Sequence, residues 1–415
     1  MPSPPSFESA LAFARDLIRI PSPPGGEGEV AARVAREMEA LAFDEVRTDE
    51  AGNVIGVVRG TGKGPSVMLS CHLDVVAEGD ATTWEHPPYS GEIQGGFLHG
   101  RGAMDIKGPL AIQTYAALAL RGRAAGDVVV AHTVFEERGG LGMRHLLETG
   151  GLRPDLVVIG EATHGDLCVG HRGRAELEVV IGGVAGHASA PERARNALDL
   201  LPLVLAAVRV VASEQPFDPL LGAATLVATD VDALPASRNV IPDRVTVALD
   251  WRVLPEQRPG ELVSRVEEAL AQALAEPPEG YSVEVRLASE RQETYTGIEC
   301  QRELFTPGFL MAVDDPVVQA VAAAVGRRDG SGPARVRPWT FATDGGWCAG
   351  VFGIPTVGFA PGEERFAHTN RERLDLDEAR WAFDRYPALV LAGMEALEKR
   401  SRATSPPDRK QVDQG

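Results

Sequence analysis

The hydrophobic positions of residues 1–173 follow two different spacings along the chain. Some stretches carry apolar side chains at helical spacing, whereas others are short and almost wholly apolar, as buried strands are. The helical stretches are residues 7–20, 29–41, 105–120 and 142–148. The strand-like stretches are residues 43–48, 53–59, 67–71, 127–135 and 155–160. This alternation predicts an α/β domain with a largely parallel central sheet.

The pattern changes after residue 173. Half-exposed strands are predicted at residues 175–182, 225–229, 245–253 and 281–287, and helices at residues 196–212 and 259–274. Antiparallel-type strands with two helices predict a compact α+β unit that is inserted into the first domain. The α/β pattern resumes with a helix at 316–326, a strand at 355–359 and a helix at 377–397. The predicted division is therefore an α/β domain in two parts, residues 1–173 and 290–400, an insert at 174–289, and a disordered tail at 401–415.

Composition narrows the possible partners. A chain of 415 residues is too long for one ordinary core, and 41 basic against 59 acidic residues give a net charge of −18. Without a basic cluster, neither nucleic acid nor an anionic membrane is expected as the main partner. The four scattered cysteines indicate neither a disulfide framework nor a structural zinc site. With no secretory signal and no apolar run of membrane-spanning length, the sequence predicts a soluble cytoplasmic protein.

Candidate chemistry lies where the predicted strands end. In open α/β sheets, sites form beyond the carboxyl ends of the strands, so side chains that follow successive strands can converge there. The residues in question are His72, Asp74, Asp105, Glu136, Glu137, Glu161 and His368. Imidazoles with several carboxylates suit zinc or a similar divalent ion, and this set is large enough for two ions. The adjacent pair Glu136 and Glu137 suits a division of labour in which one is a general base and the other a ligand.

Each of these residues alone also has an ordinary structural interpretation. His72 can be a buried core histidine, and Asp105 can be only a helix N-cap. Glu161 can pair with Arg172 or Arg174. Because all of these residues occur at the ends of successive predicted strands, a metal site is favoured over the separate structural interpretations.

The motifs that carry these residues resemble those of the M20 metallopeptidase family, which includes acetylornithine deacetylase, succinyl-diaminopimelate desuccinylase, aminoacylase-1 and carboxypeptidase G2. The matching segments are residues 70–76, 100–108, 136–137, 160–163 and 367–369, in family order over nearly the whole chain. The resemblance implies a zinc-exopeptidase-like three-layer catalytic domain of the α/β class with an inserted α+β lid, or dimerisation, domain. It also implies two Zn²⁺ per subunit, for which Co²⁺ or Mn²⁺ can substitute.

The resemblance assigns roles within the site. One zinc is expected on His72, Asp105 and Glu161, and the other on Asp105, Glu137 and His368. Asp74 is expected to support His72, and Glu136 to be the general base and acid.

The insert matches the family as well. By resemblance, His187 in the segment 186–191 reaches the active site of a neighbouring subunit and stabilises the oxyanion, which implies a homodimer through the lid. Asn239 and Arg252 match positions that grip a substrate carboxylate, a role that suits a guanidinium. The ordinary alternatives are that His187 caps a turn and that Arg252 pairs with Asp250 or Glu256. The segments 339–346 and 366–369 look most like a selenium-metabolism-linked hydrolase branch.

The expected activity is hydrolysis of the amide bond in a small N-acyl amino acid or related carboxylate-bearing substrate, by a metal-bound hydroxide with Glu136 as general base. A dipeptidase or carboxypeptidase of the same family is the first alternative. A dinuclear phosphoesterase would need Asp-x-His and Gly-Asn-His-Glu motifs, which the sequence lacks. A non-catalytic binding protein on this fold is disfavoured because every expected catalytic position is filled.

Overall fold

The computed structural model describes residues 5–274 and 276–404. Its largest sheet has eight strands, in the spatial order Glu45–Thr48, Val54–Val58, Val128–Thr133, Val67–His72, Leu156–Ile159, Thr356–Gly358, Leu167–Cys168 and Val336–Arg337. The four central strands, from Val128–Thr133 to Thr356–Gly358, are parallel to one another. The first three strands pair antiparallel, and so do Thr356–Gly358 and Leu167–Cys168. The last pair, Leu167–Cys168 with Val336–Arg337, is parallel again. The prediction of a largely parallel sheet is thus confirmed, with antiparallel pairs at the first three strands and between Thr356–Gly358 and Leu167–Cys168.

Helices cover both faces of this sheet. They are Phe7–Ile18, Gly28–Ala40, Lys107–Ala117, Leu141–Glu148, Pro316–Val325 and Leu376–Thr404. Alternate residues of the strand Val67–His72 belong to different cores, because successive side chains of a strand point to opposite faces. Leu69 joins the larger core, and Met68 joins the core that contains Met143 of the short helix. The result is the expected three-layer α/β domain.

The insert has its own antiparallel sheet, in the order Thr225–Leu234, Arg244–Val253, Gly173–Gly182 and Ser282–Leu287. The helices Leu201–Ser213 and Pro259–Leu274 cover one face, over a separate core centred on the fully buried Trp251. Buried and half-exposed residues alternate along Arg244–Val253, so the other face of the sheet carries polar side chains. This confirms the predicted α+β character of the insert. We call it the lid.

Shorter strands complete the fold. The strands Glu92–Gln94, Phe97–His99 and Arg373–Asp375 form a small sheet, and the other pairs are Gly170–His171 with Phe309–Leu310, Gly186–His187 with Val240–Ile241, Phe217–Asp218 with Gly222–Ala223, and Ser289–Glu293 with Glu299–Glu303. Phe305–Thr306 pairs with the start of Gly173–Gly182. The hairpin 289–303 leads from the lid back to the catalytic domain, where the Tyr295 hydroxyl donates to the Gly52 carbonyl oxygen at 2.9 Å.

The last helix ends later than the sequence pattern predicts. It runs to Thr404, so residues 401–404 are helical rather than part of a disordered tail. Ion pairs of Lys399 with Glu395 and of Arg402 with Glu398, each one turn apart, favour this extension. Residues 405–415 lie outside the described part of the chain. Of the described helices, none combines the length and the apolarity that crossing a membrane requires.

Candidate metal centre

The carboxyl edge of the central parallel strands gathers the predicted ligands. His72 ends one strand, Glu137 follows the strand beside it, and Glu161 follows the neighbour on the other side. Asp105 lies just before the helix Lys107–Ala117, and His368 follows the next parallel strand. Residues far apart along the chain therefore meet at one edge, as parallel strand polarity requires.

Two groups of three side chains are each arranged closely enough to hold a metal ion. In the first, His72 Nε2 lies 3.2 Å from Asp105 Oδ1 and 3.2 Å from Glu161 Oε1. In the second, His368 Nε2 lies 3.2 Å from Asp105 Oδ2 and 3.0 Å from Glu137 Oε1. Asp105 is common to both groups, and each of its oxygens faces a different imidazole. A carboxylate in this position would be shared by the two ions if both groups were occupied.

The support of His72 differs in detail from the prediction. His72 Nδ1 lies 2.8 Å from the backbone carbonyl oxygen of Asp74, to which its N–H donates, and 3.6 Å from the nearer carboxylate oxygen. This leaves Nε2 facing the carboxylates. The Asp74 carboxylate instead accepts the backbone N–H groups of Glu136 and Glu137, at 3.1 and 3.0 Å. Asp74 therefore supports His72 through its main chain, and its side chain fixes the turn that carries the predicted base and a ligand.

Glu136 is half-buried beside the two groups, and its carboxylate makes no hydrogen bond to any described residue. Burial raises the pKa of Glu136 well above its usual range, and the nearby charges of Glu161 and Asp344 add to this effect. A carboxylate with a raised pKa and a free oxygen is suited to accept and return a proton near neutral pH.

The electrostatics of the site fit divalent cations. Burial raises the pKa of Glu161 to about 7, and the pKa of Asp74 to about 6, because these carboxylates lie close to other acids in a water-poor region. Hydrogen bonds to Asp105 and Glu137 raise the pKa of His368 to about 10. A cluster of buried carboxylates that draws protonated imidazoles to it has an excess of negative charge, and its oxygen and nitrogen donors are those that zinc and similar ions prefer.

A cavity of about 700 Å³ opens beside both groups. Acidic side chains dominate its wall at the strand ends, where Arg138 directly follows Glu137, and the lid and the hairpin next to it contribute the guanidinium groups of Arg174, Arg252 and Arg302. Arg252 is thus where the sequence predicts it. Its guanidinium also pairs with Asp250, Nε to Oδ1 at 2.8 Å, so the ordinary interpretation holds as well.

The two other predicted lid residues lie apart from this cavity. His187 is paired with Val240 in a two-stranded segment, and the Ala188 N–H donates to the Asn239 carbonyl oxygen at 3.0 Å. Both His187 and Asn239 are exposed, and neither is among the described residues that line the cavity. The structure therefore brings them together with each other rather than with Arg252.

Sequence reasoning missed two buried carboxylates, Glu372 behind the candidate ligands and Asp344 in the wall of the cavity. Glu372 accepts the backbone N–H of Asp105, and the Asp344 Oδ2 atom accepts the Thr133 hydroxyl at 2.8 Å. Burial raises the pKa of both carboxyls to about 7. Asp344 lies in the segment 339–346, which resembles one hydrolase branch, but no pattern singled out this residue. A single buried acid leaves no periodic signal in a sequence.

The fold and the paired ligand groups are those of a metal-dependent hydrolase. The profile of Peptidase family M20/M25/M40 matches residues 68–392. The Escherichia coli K12 protein YgeY is 32% identical over 367 residues, which are 87% of this chain and 88% of that protein. Succinyl-diaminopimelate desuccinylase of Rhodospirillum centenum is 33% identical over 63% of this chain and 72% of its own length.

Solved structures show the same fold. Aminopeptidase PepT from Bacillus cereus has a TM-score of 0.70 at 21% identity, over 95% of this chain and 99% of that one. YXEP from Bacillus subtilis, a dinuclear metal binding peptidase from the M20 family, has a TM-score of 0.69 at 17% identity, over 94% and 99%. The chain belongs to peptidase family M20/M25/M40. The selenium-metabolism-linked branch stays a prediction.

Proposed function

We propose that this protein is a dinuclear zinc-dependent hydrolase that cleaves the amide bond of a small N-acyl amino acid or a related carboxylate-bearing substrate. The observation that carries the proposal is the pair of ligand groups that share Asp105, with Glu136 beside them and arginines across the same cavity. One end of the cavity suits a polarised carbonyl group, and the other suits a carboxylate.

His72, Asp105 and Glu161 would hold one ion, and Asp105, Glu137 and His368 the other. Two divalent ions in such a site supply Lewis acidity and lower the pKa of water toward neutrality. Glu136 takes the proton of the attacking water, because its own raised pKa lets it keep that proton until the leaving group needs it. It then delivers the proton to the amine nitrogen as the C–N bond breaks. Asp74 keeps Glu136 in place through the backbone.

The substrate class follows from the opposite wall. Arg252 is 37% exposed at its side chain and faces the cavity, so a guanidinium is available to a carboxylate there. The desuccinylase relative is named for removing an acyl group, and the aminopeptidase neighbour for cleaving peptides. A dipeptidase or carboxypeptidase of the same family therefore stays the alternative.

The direct test is a hydrolysis screen of the zinc-loaded and cobalt-loaded protein against N-acetyl amino acids, N-carbamoyl amino acids and dipeptides. We expect amine release from N-acyl amino acids, and faster turnover of dipeptides would favour the peptidase. Glu136→Ala is expected to lose nearly all turnover while it still binds two metal ions by calorimetry. If that variant keeps wild-type turnover, Glu136 is not the base. If the metal-loaded wild type hydrolyses no member of the panel, the result favours a non-catalytic binding protein on this fold.

We also propose a homodimer through the lid. Among the residues that the structure describes, none pairs with the outer edge of the strand Thr225–Leu234 in the lid sheet, where Val227 and Val231 are 56% and 43% exposed. Leu203 and Val210 of the helix Leu201–Ser213 are 39% and 49% exposed. An unpaired strand edge with exposed apolar side chains is suited to pair with a second copy.

A dimer would explain why His187 lies outside its own cavity, since it can then act in the partner's site. Mixing two inactive variants, His187→Ala and Glu136→Ala, after dissociation and reassociation tests this. Half of the dimers would be mixed, and one of their two sites would be complete, so roughly a quarter of wild-type activity should return. If His187 acts in its own subunit, no activity returns.

A further inference from the structure

The polar face of the lid sheet carries four charged residues in a square. Arg174 lies directly opposite Arg252 on the neighbouring antiparallel strand, and Glu176 lies directly opposite Asp250. Residues two apart on a strand share a face, so all four side chains project to the same side. The helices of the lid cover the other face. Arg174, Glu176 and Arg252 all line the cavity that contains Glu136 and His368.

Two arginines directly opposite each other on adjacent strands repel, with Cβ atoms about 5 Å apart. Asp250 offsets this repulsion. Its Oδ2 accepts a hydrogen bond from Arg174 Nε and its Oδ1 accepts one from Arg252 Nε, both at 2.8 Å. Burial acts against the charged form of Asp250, but the hydrogen bonds from Arg174 and Arg252 prevail and lower its pKa. Asp250 therefore stays ionised and holds the two guanidinium groups side by side.

The contacts leave part of each guanidinium free. Arg174 also pairs with Glu176, Nη2 to Oε1 at 2.9 Å. The Nη1 atoms of Arg174 and Arg252 make no hydrogen bond to a described residue, and their side chains are 45% and 37% exposed. Both residues line the cavity, so an unused N–H group of each is available to one of the two oxygens of a carboxylate.

We propose that Arg174 is a second carboxylate-binding residue, so that one substrate carboxylate is shared between Arg174 and Arg252. The inference rests on the proposed function, because it assigns this carboxylate to the substrate of the same site. It makes the free acid, rather than an amide or an ester, the ligand that the lid selects. Arg174 is then a specificity residue whose effect lies in binding rather than in the chemical step.

The test measures binding without turnover, in the zinc-loaded Glu136→Ala protein. By calorimetry, we compare N-acetyl-L-alanine, N-acetyl-L-methionine, N-acetyl-L-glutamate and N-acetyl-L-lysine with their C-terminal amides. We expect the best-bound acid to bind more tightly than its amide. Adding Arg174→Ala should weaken acid binding roughly tenfold or more, as loss of a charged hydrogen bond does, and leave amide binding unchanged.

The matched control is Arg286→Ala. Arg286 lies opposite Glu178 on the same face of the sheet and pairs with it at 2.6 Å, and its side chain is also 45% exposed, but it is not among the residues that line the cavity. It should leave both affinities unchanged. The inference is wrong if no acid binds more tightly than its amide, or if Arg174→Ala and Arg286→Ala behave alike.

The two proposals can fail separately. If the wild type hydrolyses N-acyl amino acids and Arg174→Ala leaves the ratio of kcat/KM for acid and amide unchanged, the proposed function stands and this inference falls. If acid binding depends on Arg174 but the wild type cleaves no member of the screen, the inference stands and the hydrolase proposal falls.

Discussion

Replacing Glu372 tests whether this residue holds Asp105, the residue common to both candidate ligand groups, in place. Its side chain is fully buried and accepts the backbone N–H groups of Met104 and Asp105 on one oxygen, at 3.1 and 3.0 Å. The other oxygen accepts from Arg101 Nη1 at 2.6 Å. Replacing Glu372 with Gln keeps the size of the side chain and one acceptor oxygen, but removes the charge that pairs with Arg101.

We expect this change to lower the free energy of unfolding, because it leaves Arg101 without its partner. Arg101 stays charged at 3% side-chain exposure, so the change breaks a buried ion pair and leaves a buried cation without its partner. Removing one member of such a pair typically costs about 3 to 5 kcal/mol of unfolding free energy, but burial raises the pKa of Glu372 to about 7, so removal of its charge offsets part of that cost. The loosened Asp105 segment should also lower metal affinity by roughly 10- to 100-fold, the usual effect of losing a group that orients a ligand.

The assay is calorimetric titration of zinc into metal-free protein at pH 8, at a temperature where circular dichroism shows the variant folded. Glu378→Gln is the matched control, since Glu378 is equally buried, accepts the Gly362 N–H at 3.0 Å and pairs with Arg328, but touches no predicted ligand. We expect both variants to lose stability and only Glu372→Gln to lose metal affinity. Wild-type affinity for two zinc ions in Glu372→Gln would refute the argument that Glu372 positions Asp105.

Three further predictions concern groups near the site. Asp74→Asn leaves one acceptor oxygen for the backbone N–H groups of Glu136 and Glu137, so kcat in the hydrolysis assay should fall roughly 10- to 100-fold. Burial raises the pKa of Glu27 from 4.5 to about 7, so the native state binds the extra proton and wild-type stability falls as the pH rises from 4.5 to 7. Glu27→Gln should therefore gain up to about 3 kcal/mol over wild type in urea unfolding at pH 8, and little at pH 4.5; an equal gain at both would contradict this. Chelating the metal should lower Tm, and zinc at 100 times its Kd should restore about 2.7 kcal/mol; an unchanged Tm would argue against metal binding.

The convergence of the candidate ligands was predictable because strand polarity and local motif act together. A buried run that ends in His72, or one that is followed by Glu161, fixes both the element and the edge at which the side chain emerges. The strands of the lid were predictable from the alternation of apolar and polar residues, because a sheet with one covered face buries every second side chain.

Other features needed the tertiary structure. The hydropathy of a strand does not reveal its direction, so the antiparallel pairs of the main sheet were missed. The role of the Asp74 carboxylate depends on a turn 62 residues later in the chain. Glu372 lies only four residues after His368, yet its partner Arg101 is 271 residues away. The helix beyond residue 397 depends on surface ion pairs rather than on apolar spacing.

The buried acids also link the stability of the fold to its cations. Burial raises the pKa values of Glu161, Asp344 and Glu372 to about 7, and that of Asp74 to about 6. Keeping such groups ionised at neutral pH costs free energy, because the native state takes up protons that the unfolded chain does not. Divalent ions that bind only the native state offset that cost, and they do so most strongly where the carboxylates are already deprotonated. The same charge cluster that makes the protein alone less stable at neutral pH is therefore what gives its metal centre affinity there.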